Sequence, residues 1–195
     1  LFNCLSNAKA QSANFPFCTI EPNVGTITVP DERLASLESL VKPEKVIPTT
    51  IEIVDIAGLV KGAHKGEGLG NQFLANIREV DAIIHVLRCF DDDNEIHVDG
   101  KVDPISDKEI IDMELQLKDL ETVEKRIGAI ERKANSGDKD AKKVYETYVA
   151  VKEHLLKGYS VRTLELEVSQ EEYLAELQLI TSKPVMYICN VDETA

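Results

Sequence analysis

Basic charge is scarce in this chain. With 22 Lys and Arg against 35 Asp and Glu, a net charge of -13, it cannot coat nucleic acid by charge alone, because neutralising phosphates requires clustered cations. DNA is therefore not an expected partner, whereas RNA contact through a local patch stays open. Cysteine is sparse as well. Cys4, Cys18, Cys89 and Cys189 lie far apart, with neither C-x-x-C pairs nor histidines at metal-ligand spacing, which argues against a disulfide framework or a zinc site and for a reducing cytoplasm. No apolar run reaches the ~20 residues that span a bilayer, and the N-terminus has neither the basic region nor the apolar stretch of a signal peptide. The phosphate-binding sequence G-x-x-x-x-G-K-[ST] is absent too. What remains is 195 residues at 43% hydrophobic content, enough for one domain plus an appendage. A soluble, intracellular monomer is the expectation.

Short apolar strands alternate with helices, a long charged section breaks that rhythm, and a strand follows. This order predicts an α/β fold with a mostly parallel sheet and an inserted helical hairpin. Residues 1–8 read as helix, with Leu1, Phe2 and Leu5 on one face and no cap before them, so the start reads as a cut. Val24 to Val29 alternates as a strand, and Asp31 caps a helix to about Leu40 with Leu34, Leu37 and Leu40 inward. Ile51 to Val54, Ala82 to Leu87 and Val185 to Cys189 are nearly continuous apolar runs, expected to be central strands covered on both faces. Met113, Leu117, Leu120, Val123, Ile127, Ile130 and Ala134 recur at helical spacing; beyond Asn135-Ser136-Gly137-Asp138, so do Ala141, Val144, Tyr148, Val151 and Leu155. This predicts an antiparallel coiled-coil hairpin over 107–157. Because Lys and Glu fill most other positions, it is expected to project into solvent, as a prop or as a partner-docking arm. A further helix is expected to start near Ser169.

Val54-Asp55-Ile56-Ala57-Gly58-Leu59-Val60 delivers an aspartate from a strand into a glycine turn. A carboxylate ending a buried strand needs a cation. Magnesium would supply it, leaving the Gly58 amide to meet a γ-phosphate; the plainer alternative is an aspartate capping the next turn. Gly62, Gly66, Gly68 and Gly70 follow, as in a loop ordered by nucleotide or merely a flexible one. Thr19, in the loop before the first strand, is a candidate magnesium-contacting hydroxyl and equally one threonine among turn residues. Asn190-Val191-Asp192-Glu193 follows a strand directly, the position from which a purine base is read or where a polar turn simply sits. Compared with the guanine reader N-K-x-D, Val191 replaces lysine and Glu193 replaces aspartate. Strict guanine selection is not expected.

Asn14 to Asn23, Asp55 to Val60 running on through Lys65-Gly66-Glu67-Gly68-Leu69-Gly70-Asn71, and Arg88-Cys89-Phe90 with Ile96-His97-Val98 together resemble the YchF family of Obg-like ATPases. The resemblance runs along almost the whole chain. It implies a G-domain-like P-loop NTPase in residues 1–106, a coiled-coil insertion in 107–180 and a return to the nucleotide domain in 181–195. It also implies binding of ATP as well as or better than GTP, with Mg2+, and association with the ribosome or its subunits. In the family, the phosphate-binding loop lies immediately before the position of Leu1 and a TGS domain follows beyond that of Ala195. The missing loop therefore bears on the activity of this stretch taken alone. Leu59 stands where Ras-like proteins place the water-orienting glutamine. The resemblance assigns catalysis to His97, since an imidazole can relay a water proton near neutral pH. His64 is a weaker candidate, His85 reads as a hydrogen-bonded core histidine, and His154 lies on the hairpin.

Two functions fit these residues. One is an ATPase or GTPase switch in which Thr19 and Asp55 hold magnesium, Gly58 senses γ-phosphate, His97 positions water, and Asn190, Val191 and Glu193 meet the base. The other is a non-catalytic interaction module whose output is the hairpin surface.

Overall fold

The computed structural model describes residues 1–6, 23–56, 69–90 and 102–193, with residues 69–72 described by backbone alone. The chain divides into two compact units, Leu1–Gly58 and Leu59–Ala195.

In the first unit, helix α1 (Phe2–Ser6), strand β1 (Asn23–Thr28), helix α2 (Glu32–Val41) and strand β2 (Thr50–Asp55) follow in order. β1 and β2 pair antiparallel, with Asn23 opposite Asp55 and Thr28 opposite Thr50. Gly25 is buried in β1 where Ser6 and Phe2 of α1 close over it, and a Cβ there would collide with the Ser6 side chain. The chain therefore needs glycine for this close approach. Asp31 caps α2 as expected: its carboxylate accepts from Arg33 N at 2.9 Å and from the Arg33 guanidinium at 3.0 and 2.8 Å. Of the leucines of α2 expected inward, Leu34 is half-buried and the other two are not covered. Leu37 is 56% and Leu40 79% exposed, so the cap and local helix propensity, rather than a buried face, set this helix.

In the second unit come α3 (Leu69–Glu79), β3 (Ile83–Arg88), α4 (Pro104–Asn135), α5 (Lys139–Leu156), α6 (Val168–Ala175) and β4 (Val185–Asn190). β3 and β4 pair in parallel, Ile83 with Val185 through Arg88 with Asn190. One described pairing is thus antiparallel and the other parallel. The expectation of strands covered on both faces fails among the described residues: Ile51, Ile84, Val86 and Met186 are exposed, and Leu87 is the buried residue of β3. Each described strand pairs with one other described strand.

α4 and α5 form the expected hairpin. Gly137 takes φ 94° in the turn, a left-handed conformation that glycine tolerates. Asp138 caps α5 by accepting from Asp140 N and Ala141 N, both at 3.0 Å. Val123, Tyr148, Val151 and Leu155 meet Val161, Leu174, Leu177 and Leu179 in one buried cluster. Outside it, Lys152 pairs with Glu124 across the two helices at 2.8 Å.

Two features of the hairpin depart from expectation. The charged positions are not all solvated: Glu114 is 1% and Asp119 0% exposed. Met113, expected on the apolar face, is exposed, while Leu115 is buried. The reason is that the first half of α4 also packs against β3 and against the 3-10 turn Ile180–Ser182, so it is covered on more than one side. α6 begins one residue before the expected Ser169. Glu167 is its N-cap, and Glu167 N donates to the Gln170 side chain at 3.0 Å, which closes one half of a capping box.

Candidate functional site

β2 reads Thr-Ile-Glu-Ile-Val-Asp, β-branched residues that favour extended chain, and it ends on Asp55. Ile53 and Val54 are half-buried, whereas Asp55 is exposed. The sequence argument from a carboxylate stranded at the end of a buried strand therefore does not hold. Its oxygen remains a hard donor suited to a hard cation such as Mg2+. Among the described residues no group of three or more His, Cys, Asp and Glu is arranged to hold a metal. Thr19, Gly58, His64 and His97 lie outside the described residues.

Asn190 ends β4, opposite Arg88 at the end of β3. Its backbone carbonyl accepts from Cys89 N at 2.7 Å, carrying the parallel ladder one step beyond the paired residues. Asn190 is exposed, as are Val191, Asp192 and Glu193, so the chain leaves the strand with these four positions open. Arg88 is held beside them: its Nε donates to Phe90 O at 3.1 Å, and its guanidinium lies 4.9 Å from the centre of the Phe90 ring. Asp55 belongs to the first unit and Asn190 to the second.

His85 is half-buried in β3, with its ring 5.7 Å from that of Tyr187 on β4. Burial holds its pKa below the ordinary histidine value, opposed by the Asp112 carboxylate and assisted by Lys108. His154 sits on α5, its Nε2 at 3.1 Å from Ser160 O and 2.9 Å from Thr163 Oγ1. Both histidines are engaged in structure.

Sequence reasoning missed the polar knot that ties the hairpin to β4. The buried carboxylate of Asp119 on α4 accepts from Ile180 N at 2.9 Å and Thr181 N at 2.7 Å, capping the 3-10 turn just before β4. Burial pushes this carboxyl above the ordinary aspartate value, against the opposing pull of the Thr181 and Ile180 amides. Thr181 Oγ1 in turn accepts from Val161 N at 3.2 Å. Arg78 donates to Thr122 Oγ1 at 2.9 Å. The Lys183 ammonium donates to Arg78 O at 2.7 Å and to Val80 O, fastening the residue before Pro184 to the end of α3. The partners of Asp119 stand 61 and 62 residues away in sequence, and α4 is rich in acids, so no local signal separates this aspartate from its solvated neighbours.

Comparison with known proteins adds a family to this geometry. The family profile described as 50S ribosome-binding GTPase matches residues 1–133. "Ribosome-binding ATPase YchF" of Bacillus subtilis (strain 168) is 53% identical over 193 residues, covering 99% of this chain and 53% of that protein. The protein of the same name from Escherichia coli O157:H7 matches at the same identity and coverage. The YchF GTPase of Schizosaccharomyces pombe, a solved structure, superposes with a TM-score of 0.75 at 39% identity, over 93% of this chain and 50% of that one. The chain spans about half the length of the curated relatives it matches. With an α/β strand pattern, a helical hairpin between β3 and β4 and these matches along its length, the chain belongs to the 50S ribosome-binding GTPase family, on its YchF branch.

Proposed function

We propose that this chain is the nucleotide-binding part of a Mg2+-dependent ATPase or GTPase switch that takes ATP at least as well as GTP and docks on the ribosome in the cytoplasm. Residues 1–106 and 181–195 form the nucleotide domain and 107–180 the helical insertion. Thr19 and Asp55 hold magnesium, the Gly58 amide meets the γ-phosphate, and His97 orients the attacking water. Mg2+ held there would supply positive charge to offset the negative charge that develops on the transferred phosphoryl group.

One observation carries the reading: Asp55 is the last residue of β2 and Asn190 the last of β4, with both side chains exposed. Strand C-termini are where α/β sheets bind ligands. Asn190 can pair with purine N7 and an exocyclic amine. Glu193, one methylene longer than aspartate, and Val191, without an ammonium, remove the fixed geometry that would select guanine. The names of the relatives, ribosome-binding ATPase in bacteria and GTPase in yeast, support both the hydrolase reading and the ribosomal partner.

Phosphate release by the complete protein tests the assignment. His97→Ala is expected to lower the rate by about a hundredfold, the usual worth of a positioned acid-base group, and Asp55→Asn to raise the Mg2+ concentration needed for half-maximal rate. A His97→Ala variant as fast as wild type would remove His97 from the mechanism. Ribosome capture, compared between wild type and a variant lacking 107–157, tests the docking arm. Loss of capture makes the hairpin the contact, and unchanged capture makes it a prop.

A further inference from the structure

We infer that the tip of the α4–α5 hairpin is a seat for the phosphate backbone of RNA; this rests on the ribosomal docking proposed above and names its chemistry. Charge is sorted along the hairpin. Residues 104–124 at its root carry seven acids against two lysines, whereas residues 125–143 at its tip carry seven Lys and Arg against three acids. The tip is therefore a basic island on a chain of net charge -13, and such a local cluster of cations is what contact with phosphates requires. All seven cations are exposed. Lys133 pairs with Asp138 at 3.2 Å and Lys142 lies 3.8 Å from Glu146, while the other five form no ion pair among the described residues. Asp138 is itself occupied in capping α5 through Asp140 N and Ala141 N.

The spacing gives these cations a shape. On α4, Lys125 and Arg132 share a face with Gly128 between them, three residues after the first and four before the second; Arg126, Ala129 and Lys133 repeat the arrangement one position on. On α5, Lys139, Lys142 and Lys143 share a face by the same rule. Each row on α4 thus holds two cations across a small residue, which leaves the helix open to close approach. Gly128 is exposed, and a Cβ there would meet nothing within 4 Å. Glycine weakens a helix interior relative to alanine, and no described neighbour requires it, so a group from outside fitting against the helix is its physical reason. That group is not a lipid surface: no large apolar side chain is exposed between Met113 and Leu156, and a helix lying in a membrane interface inserts such side chains. The ribosomal partner proposed above presents phosphate over much of its surface, which favours RNA over an acidic protein.

Anisotropy of a short labelled RNA duplex, titrated with the complete protein at several salt concentrations, tests the seat. Combining Lys125→Gln, Arg132→Gln and Lys143→Gln should weaken binding by at least about tenfold and flatten the salt dependence by about one unit of slope for each lost contact. Glu131→Gln, which removes an exposed acid from the tip, should tighten binding. Gly128→Leu separates the seat from helix stability, since it should raise the urea midpoint of unfolding and yet weaken RNA binding. Unchanged affinity and slope in the triple variant would overturn the seat. So would tighter binding of wild type to phosphatidylserine vesicles than to RNA, or displacement of the duplex by polyglutamate at equal charge. If the variant lacking 107–157 still captured ribosomes, the docking-arm reading would fail, and the duplex titration would still decide whether the tip binds RNA.

Discussion

The helical insertion and the strand ends solve opposite problems. In the insertion, Val123, Val151 and Ile180 are fully buried and even an aspartate, Asp119, is enclosed with both oxygens engaged by backbone amides. At the strand ends, Asp55, Asn190 and Glu193 stand exposed. The insertion is built to hold its own shape, and the strand ends are built to present polar groups. A region whose donors and acceptors are satisfied internally has little left to offer a ligand; one that ends strands on open carboxylates and amides has chemistry to spare. The knot through Asp119, Thr181 and Lys183 ties the insertion to β4, since it fixes the turn from which β4 sets out toward Asn190.

The largest effect should come from that knot. Asp119→Ala leaves two buried N–H groups unpaired and is expected to lower stability by about 3 kcal/mol, at roughly 1 to 3 kcal/mol for each lost partner, read from urea unfolding. Asp119→Asn keeps one acceptor and should lose less. A loss under about 1 kcal/mol for the alanine variant would mean that the turn finds other partners and the insertion is less self-contained than described.

Next is the contrast in burial. Val151→Ala, at a position with 0% exposure, should destabilise by about 2 kcal/mol through lost transfer energy and a cavity. Ile51→Ala, 51% exposed in β2, should stay within about 1 kcal/mol. Equal costs in the same unfolding experiment would show that β2 is buried in solution and would erase the contrast.

A smaller effect concerns pH. Burial lowers the pKa of His85, so below the ordinary histidine value the unfolded chain binds the proton first. Stability contributed by neutral His85 is complete above about pH 6.5 and is lost as pH falls through that value toward the lower folded one. His85→Phe should flatten this part of the stability profile. An unchanged slope would assign it to another group.

Much of this architecture was legible in the sequence because its signals are local. Apolar residues at spacings of three and four marked α4 and α5, Asp31 marked the start of α2, and β-branched runs marked the strands. What escaped is long-range. Whether Leu37 or Ile51 is covered depends on what packs against it, and neither residue carries that information. Asp119 looks like any other acid on a charged helix until the chain returns 61 residues later. The candidate site shows the same limit. Asp55 and Asn190 were singled out by their place after apolar runs, yet the first was expected at the end of a buried strand and is exposed. The family resemblance, not the spacing, singled out His97.

If Asn190, Val191 and Glu193 read a purine without demanding guanine, as proposed, nucleotide competition on the complete protein should reveal it. With a fluorescent nucleotide displaced by ATP or GTP in the presence of Mg2+, ATP is predicted to compete at least as well as GTP. A guanine preference of about a hundredfold or more, equivalent to about 2.7 kcal/mol, would contradict the reading of Asn190, Val191 and Glu193.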